Sequence, residues 1–247
     1  MPTILDATVV DQAYDTSGNG GRKLVRLSNG WLVAGVRNGT TDVYLYVSKD
    51  NFATTPTRLC YLNTENVIND VALVSHGNKI TLIIGNASQH VLSYTIDATT
   101  QTDVNIAGTY QFLDQSQNAI GNVSLAINEA GTELHAAWAS KNSTYPNSFN
   151  IRYCKGTINA DGSVTWGSVT QVSTNNTLGL DAKNPSIVLA NGNPVILADE
   201  NSGTASNTIL AYRYNGTGFS RIIVYNGTGY TQSSPSACID KNGWIWV

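Results

Sequence analysis

Charge is scarce in this chain: only 13% of its 247 residues are Asp, Glu, Lys or Arg, about half the usual share, and the formal net charge is −3. The fourteen Lys and Arg are scattered rather than clustered, so the basic stripe that nucleic acid or an anionic membrane surface demands is missing and neither partner is expected. No stretch approaches the roughly 18 uncharged apolar residues of a spanning helix, so membrane insertion is not expected either. The opening Met1-Pro2-Thr3-Ile4-Leu5-Asp6 has neither a positive region nor an apolar core, and no signal peptide is read there. Cysteine is rare: Cys60, Cys154 and Cys238 fall at non-equivalent places in strand-like segments, which gives no disulfide framework and reads as three small core residues. The three histidines, His76, His90 and His135, share no spacing, so no metal, cofactor or Ser-His-Asp set is expected. Helical signal is also absent, since no apolar series of i, i+3, i+4, i+7 lasts three turns.

What the chain does have is a repeat. Arg22–Val36 reads as strand, tight turn at Ser28-Asn29-Gly30, and strand. Versions of it recur at Asp70–Ala87, Asn122–Ala139, Pro185–Ala198 and Pro235–Val247, with turn glycines at Gly30, Gly77, Gly131, Gly192 and Gly243. A spacing of roughly 50–60 residues is that of propeller blades. Two further strands follow most of these hairpins, as at Asp42–Ser48 and Thr57–Leu62 in the first unit and Val91–Ile96 and Val104–Leu113 in the second, which makes four antiparallel strands per unit. Second strands such as Ile80-Thr81-Leu82-Ile83-Ile84-Gly85 are apolar on both faces, as expected of a sheet packed between two neighbours. The expected fold is therefore an all-β propeller in a single domain, with units at about 22–62, 70–113, 122–172, 185–225 and 235–247.

The last unit has two strands only, and an orphan strand at Thr3–Ala13 is placed to complete it. Five blades closed in this way is the favoured reading. The alternative is a truncated six-bladed ring, whose open blade faces would pair with another copy in a homo-oligomer.

The turns between third and fourth strands carry a more specific pattern. Ser48-Lys49-Asp50-Asn51-Phe52-Ala53-Thr54-Thr55 and Asn159-Ala160-Asp161-Gly162-Ser163-Val164-Thr165-Trp166 occupy equivalent places. Both resemble the Asp-box, Ser-x-Asp-x-Gly-x-Thr-Trp, of the sialidase (BNR-repeat) propeller superfamily. The first lacks the Gly and Trp; the second has Asn for Ser, and its glycine directly follows the Asp. Ser48, Asp50, Asp161 and Trp166 are expected to be structural, the Asp accepting backbone N–H groups and the aromatic pinning the turn. The stretch Arg22–Ala34 likewise resembles the start of the first sialidase blade. That resemblance implies that Arg22 is the first of three arginines gripping a carboxylate, and that Asp42, after Arg37, stands near the family's acid/base aspartate. The Tyr nucleophile, its Glu partner and the other two arginines have no recognisable context here.

Composition points the same way, with few charges, Thr/Asn/Gly turns and the repeated phrase Tyr-Asn-Gly-Thr-Gly at Tyr214 and Tyr225 resembling bacteriophage tail-associated or bacterial surface propellers. The leading expectation is a non-enzymatic virion or surface module that binds a surface or cell-wall glycan through loop residues such as Arg22, Tyr145 and Tyr230. The first alternative is a hydrolase or lyase of a carboxylated sugar, with Arg22, Arg37, Asp42 and Glu200 near one end of the central channel. A purely structural assembly piece is the second.

Overall fold

The computed structural model describes residues 23–63, 66–100, 102–115, 117–201, 207–226 and 233–247. The first sheet contains β1 (Leu24–Arg26), β2 (Leu32–Asn38), β3 (Asp42–Ser48) and β4 (Thr57–Asn63). The second contains β5 (Ile68–His76), β6 (Lys79–Asn86) and β7 (Val91–Asp97). The short β8 (Val104–Asn105) crosses back to the first sheet, and β9 (Tyr110–Asp114) then completes the second. In the third, β10 (Gln117–Ile127), β11 (Glu133–Asn142) and β12 (Asn150–Ile158) are followed by two short outer strands, β13 (Val164–Trp166) and β14 (Thr170–Gln171), both paired with β12. The fourth is β15 (Ala182–Ala190), β16 (Asn193–Asn201), β17 (Asn207–Tyr214) and β18 (Phe219–Asn226), and β19 (Cys238–Ile239) pairs with β20 (Ile245–Trp246) in a two-stranded sheet.

Pairing is antiparallel except for β8, which runs parallel to β4. The first strands meet in succession, β1 with β5, β5 with β10, β10 with β15 and β15 with β19, so they gather about a common axis while the later strands radiate outward. This all-β stack of antiparallel sheets is the geometry of a β-propeller. The expected closing strand Thr3–Ala13 lies outside the described residues.

One apolar cluster fills each gap between successive sheets. β6, β11 and β16 are therefore buried along both faces, because each lies inside its sheet and has a neighbouring sheet on either side. Glycines allow the closest approaches: a Cβ on Gly85 would stand 2.7 Å from Ile120 Cγ2 and 3.0 Å from the Gly121 carbonyl oxygen. Polar groups staple the inner strands, which share no ladder. The Ser124 and Ser186 hydroxyls accept the Ile187 and Ala237 N–H groups at 3.1 Å each, and Asp70 accepts that of Val123.

Two sequence expectations need correction. Val104–Leu113 is not one strand: Ile106 is buried in the core between the first two sheets, its N–H bonds the Tyr61 carbonyl at 2.9 Å, and Arg58 pairs with Asp103, all of which draw β8 to β4. Cys238 is exposed, unlike the buried Cys60 and Cys154.

Candidate functional site

Each first strand runs from one end of the axis to the other and each second strand returns. The ends where first strands begin and second strands finish form an entry face; the opposite, turn face carries the tight hairpins. The order of strands puts the start of β5, the start of β15 and the end of β16 on the entry face.

Asp70, 4% exposed, sits there between three sheets. Its Oδ1 accepts the Lys23 ammonium at 2.7 Å and the Val71 N–H at 2.8 Å, while Oδ2 accepts the Val123 N–H at 3.1 Å. Lys23 also donates to the Val71 carbonyl. The carboxylate is thus compensated by one full charge and two backbone donors.

Asp199, near the end of β16 and 5% exposed, is the counterpart in the fourth sheet. Burial pushes its carboxyl above the ordinary value, and the Asn184 side chain and the Ser234 N–H, at 3.4 Å, only partly offset that. A carboxyl of this kind holds its proton further toward neutral pH than a solvated one. Neighbouring Asp181 is shifted the other way. Its partial burial is outweighed by the Lys183 ammonium at 2.7 Å and the Phe149 N–H at 2.8 Å, which hold it below the usual carboxylate range. Lys183 and Lys141 lie over the Phe149 ring at 4.7 and 5.1 Å, so cation and aromatic groups share this corner.

Among the described residues named from sequence, Arg37, Asp42 and Glu200 lie at entry-face strand ends, but in two different sheets. Glu200 follows Asp199 directly, and because neighbouring side chains on a strand face opposite ways it does not join Asp199 in one site. Its carboxylate accepts Arg221 of the outer strand β18 at 2.6 Å and the Asn175 amide at 2.9 Å. These two partners occupy the carboxylate at the entry-face end of β16. Arg37 donates to the Asn69 carbonyl at 3.2 Å, and the Asn69 amide passes the link to the Ile120 carbonyl at 2.7 Å, so this arginine bridges sheets. Asp42 accepts the Thr41 hydroxyl at 3.0 Å within the β2–β3 hairpin. Tyr145 is half-buried in the β11–β12 loop, its N–H bonded to Asn142 Oδ1 at 2.9 Å. Arg22 and Tyr230 lie outside the described residues.

On the turn face, the two box-like turns are closed by their acidic residues. Asp50 accepts the Thr54 hydroxyl at 2.5 Å and N–H at 3.0 Å and the Ser48 hydroxyl at 2.9 Å; these bonds, Thr54 first, hold its pKa down. Asp161 accepts the Ser163 hydroxyl and N–H at 2.6 and 2.9 Å, and Trp166 packs on Gly156, where a Cβ would stand 2.8 Å from the indole. Among the described residues no group of three or more His, Cys, Asp and Glu has an arrangement that could hold a metal ion.

Sequence reasoning passed over Asp70 and Asp199; it takes His135 for a solvated or core residue, and the core is where it lies. His135 is 2% exposed and its Nδ1 lies 2.7 Å from the Tyr153 hydroxyl.

No family model matches the chain, and no curated protein matches its sequence. Solved structures do match. An α-L-arabinanase of Penicillium chrysogenum complexed with arabinobiose aligns with 96% of this chain and 75% of its own, at 15% identity and a TM-score of 0.61. An α-L-arabinofuranosidase from Lactobacillus brevis covers 98% and 85%, at 8% identity and 0.55, and one from Fusarium graminearum in complex with arabinobiose covers 86% and 63%, at 13% and 0.50. At these identities the likeness is one of fold, a β-propeller; sialidase kinship and a place in a virion gain nothing from it. The expectation of a non-enzymatic binding module is corrected, because the propellers named above are glycoside hydrolases, and the glycan-degrading alternative is the one they fit.

Proposed function

We propose that this chain is a glycoside hydrolase of propeller architecture that works at the entry face. Hydrolysis of a glycosidic bond needs one carboxyl that keeps its proton for the leaving oxygen and one that is ionised. The observation that carries the reading is a pair of buried carboxyls with opposite surroundings at one end of the axis: Asp199, raised by burial, and Asp70, charge-paired to Lys23. In this reading Asp199 protonates the departing oxygen, and Asp70 supplies the negative charge that orients water or supports the positive sugar carbon. Lys23, 2.7 Å from Asp70 Oδ1, fixes the position of that carboxylate.

The substrate favoured is a neutral glycan rather than a carboxylated one. A sugar carboxylate calls for convergent guanidinium forks. Arg37, Arg58, Arg152 and Arg221 are instead engaged with Asn69, Asp103, Asp114 and Glu200, each in its own sheet or at a neighbour's edge. The arabinobiose complexes among the matching propellers support the same choice.

The test is release of reducing sugar from arabinan, xylan and galactan, with polyuronate and sialylated glycan in parallel, by the wild type and by Asp199→Asn. Release from a neutral polymer that falls about a hundredfold in the variant is the expected result. Release from the acidic polymers alone overturns the substrate class, and no release from any polymer overturns the activity.

A further inference from the structure

A cleft of about 280 Å³ opens on the turn face between the third and fourth sheets. It lies at the start of β11 (Glu133, His135), along β12 (Tyr153, Lys155), at the β15–β16 turn (Asn193) and at the end of β17 (Tyr214). The strand directions put it at the opposite end of the molecule from Asp70 and Asp199.

His135 gives the cleft its chemistry. The imidazole is buried and Nδ1 is taken by the Tyr153 hydroxyl, yet Nε2 makes no hydrogen bond; the nearest carboxylate oxygen, Glu133 Oε2, is 3.9 Å away. A buried ring nitrogen left without a partner is costly, so it asks for an occupant. That gap is too long for a hydrogen bond and too short for an oxygen to fit in line, but a hydroxyl oxygen set beside the two atoms reaches both at hydrogen-bond length. A hydroxyl also suits either tautomer, since it donates as readily as it accepts. Burial lowers the His135 pKa to about 4, so the ring is neutral near neutral pH and does not call for an anion. The other Glu133 oxygen is neutralised by the Lys155 ammonium at 2.6 Å, which removes the call for a cation. Beside these polar groups stands a fixed aromatic: the Tyr214 ring tilts against Phe219 at 5.3 Å and its hydroxyl is held by the Gly216 carbonyl at 2.8 Å. A braced ring next to uncharged hydrogen-bonding groups is suited to a molecule with one apolar face and several hydroxyls.

We propose that this cleft is a second glycan site that holds one neutral sugar residue, with a sugar hydroxyl seated between His135 Nε2 and Glu133 and the ring laid on Tyr214. It rests on the reading of the chain as a glycan-degrading enzyme and deepens it: a polymer held at the turn face keeps substrate close while the entry face cleaves.

The experiment follows the His135 imidazole resonances of the full chain by NMR during titration with arabinotriose, xylotriose and galactotriose. The expected result is a saturable shift with at least one trisaccharide, kept in Asp199→Asn, and weakened about tenfold in both Tyr214→Ala and the milder Lys155→Gln. No shift with any of the three, meaning a cleft filled by water alone, overturns the proposal, as does a shift unchanged in both cleft variants. Hydrolysis is read separately. A His135 shift without turnover of any polymer removes the glycosidase and leaves the site, whereas turnover with an unmoved His135 removes the site and leaves the enzyme.

Discussion

Asp70 and Asp199 are buried to nearly the same degree, 4% and 5% exposed, at the same end of the axis, and their surroundings differ in one respect. Asp70 has an ammonium and two backbone N–H groups on its oxygens; Asp199 has the Asn184 amide, the long Ser234 N–H contact, its own N–H and the weaker influence of the Lys183 charge, which together do not offset its burial. Burial sets the stakes for both, and the partners decide the outcome. A carboxylate compensated as fully as Asp70 serves as a staple that joins β5 to β10 and to Lys23. One compensated as thinly as Asp199 is pushed toward its protonated form. The difference separates a fully partnered carboxylate, which joins the inner strands as well as lending its charge to the proposed site, from one that can surrender a proton.

Asp70→Ala strands the Lys23 ammonium, whose side chain is 16% exposed, beside an apolar core and frees two N–H groups, so it should cost about 3–5 kcal/mol of folding stability. Denaturant unfolding measures this, and a loss under about 1 kcal/mol would show that Asp70 is not a staple. Next in size is Asp199→Asn, which should leave stability within about 1 kcal/mol of the wild type while glycan turnover falls about a hundredfold, or about 2.7 kcal/mol in barrier. Equal damage to stability and turnover would make Asp199 structural and erase the distinction. A smaller effect is expected for the double variant Lys23→Met/Asp70→Leu. Replacing both charges by apolar groups of similar bulk should recover most of the Asp70→Ala loss, because the cost lies in the uncompensated partner rather than in the missing attraction.

How much of this the sequence discloses depends on the kind of information each feature needs. The second strands were legible because burial on both faces writes itself as an unbroken apolar run, as in Ile80–Gly85. Asp42–Ser48 likewise reads as a strand with the bounds of β3, from its alternation and flanking turns. The division of Val104–Leu113 was not legible, since what splits it is a bond from Ile106 to Tyr61 in another sheet. In Asp199-Glu200 the sequence shows two neighbouring carboxyls of equal standing. Strand parity and the reach of Arg221 separate them, and neither is local, so the sequence favoured Glu200 and passed over Asp199. His135 looked like any strand histidine; only the distance from Nε2 to Glu133, across a cleft formed by two sheets, marks it out.

Changing pH distinguishes a raised carboxyl from a lowered one directly. Because the Asp199 carboxyl is raised in the folded state, the native protein binds more protons than the unfolded chain between the ordinary value of 3.8 and the raised one. Stability contributed at this site is therefore full below 3.8, falls as pH rises through that window and is level above it. Asp199→Asn has no proton to lose, so the stability of the wild type measured against this variant should decline across the window and then flatten. Asp181 supplies the opposite sign within the same sheet, since its carboxyl is lowered despite partial burial by Lys183 and the Phe149 N–H. Its stabilisation is present above 3.8 and is lost as pH falls through the lowered value, so the difference between wild type and Asp181→Asn should shrink on acidification. Two slopes of opposite sign would trace the contrast to partners rather than burial, whereas parallel slopes would mean that Asp199 is compensated after all and cannot serve as the acid.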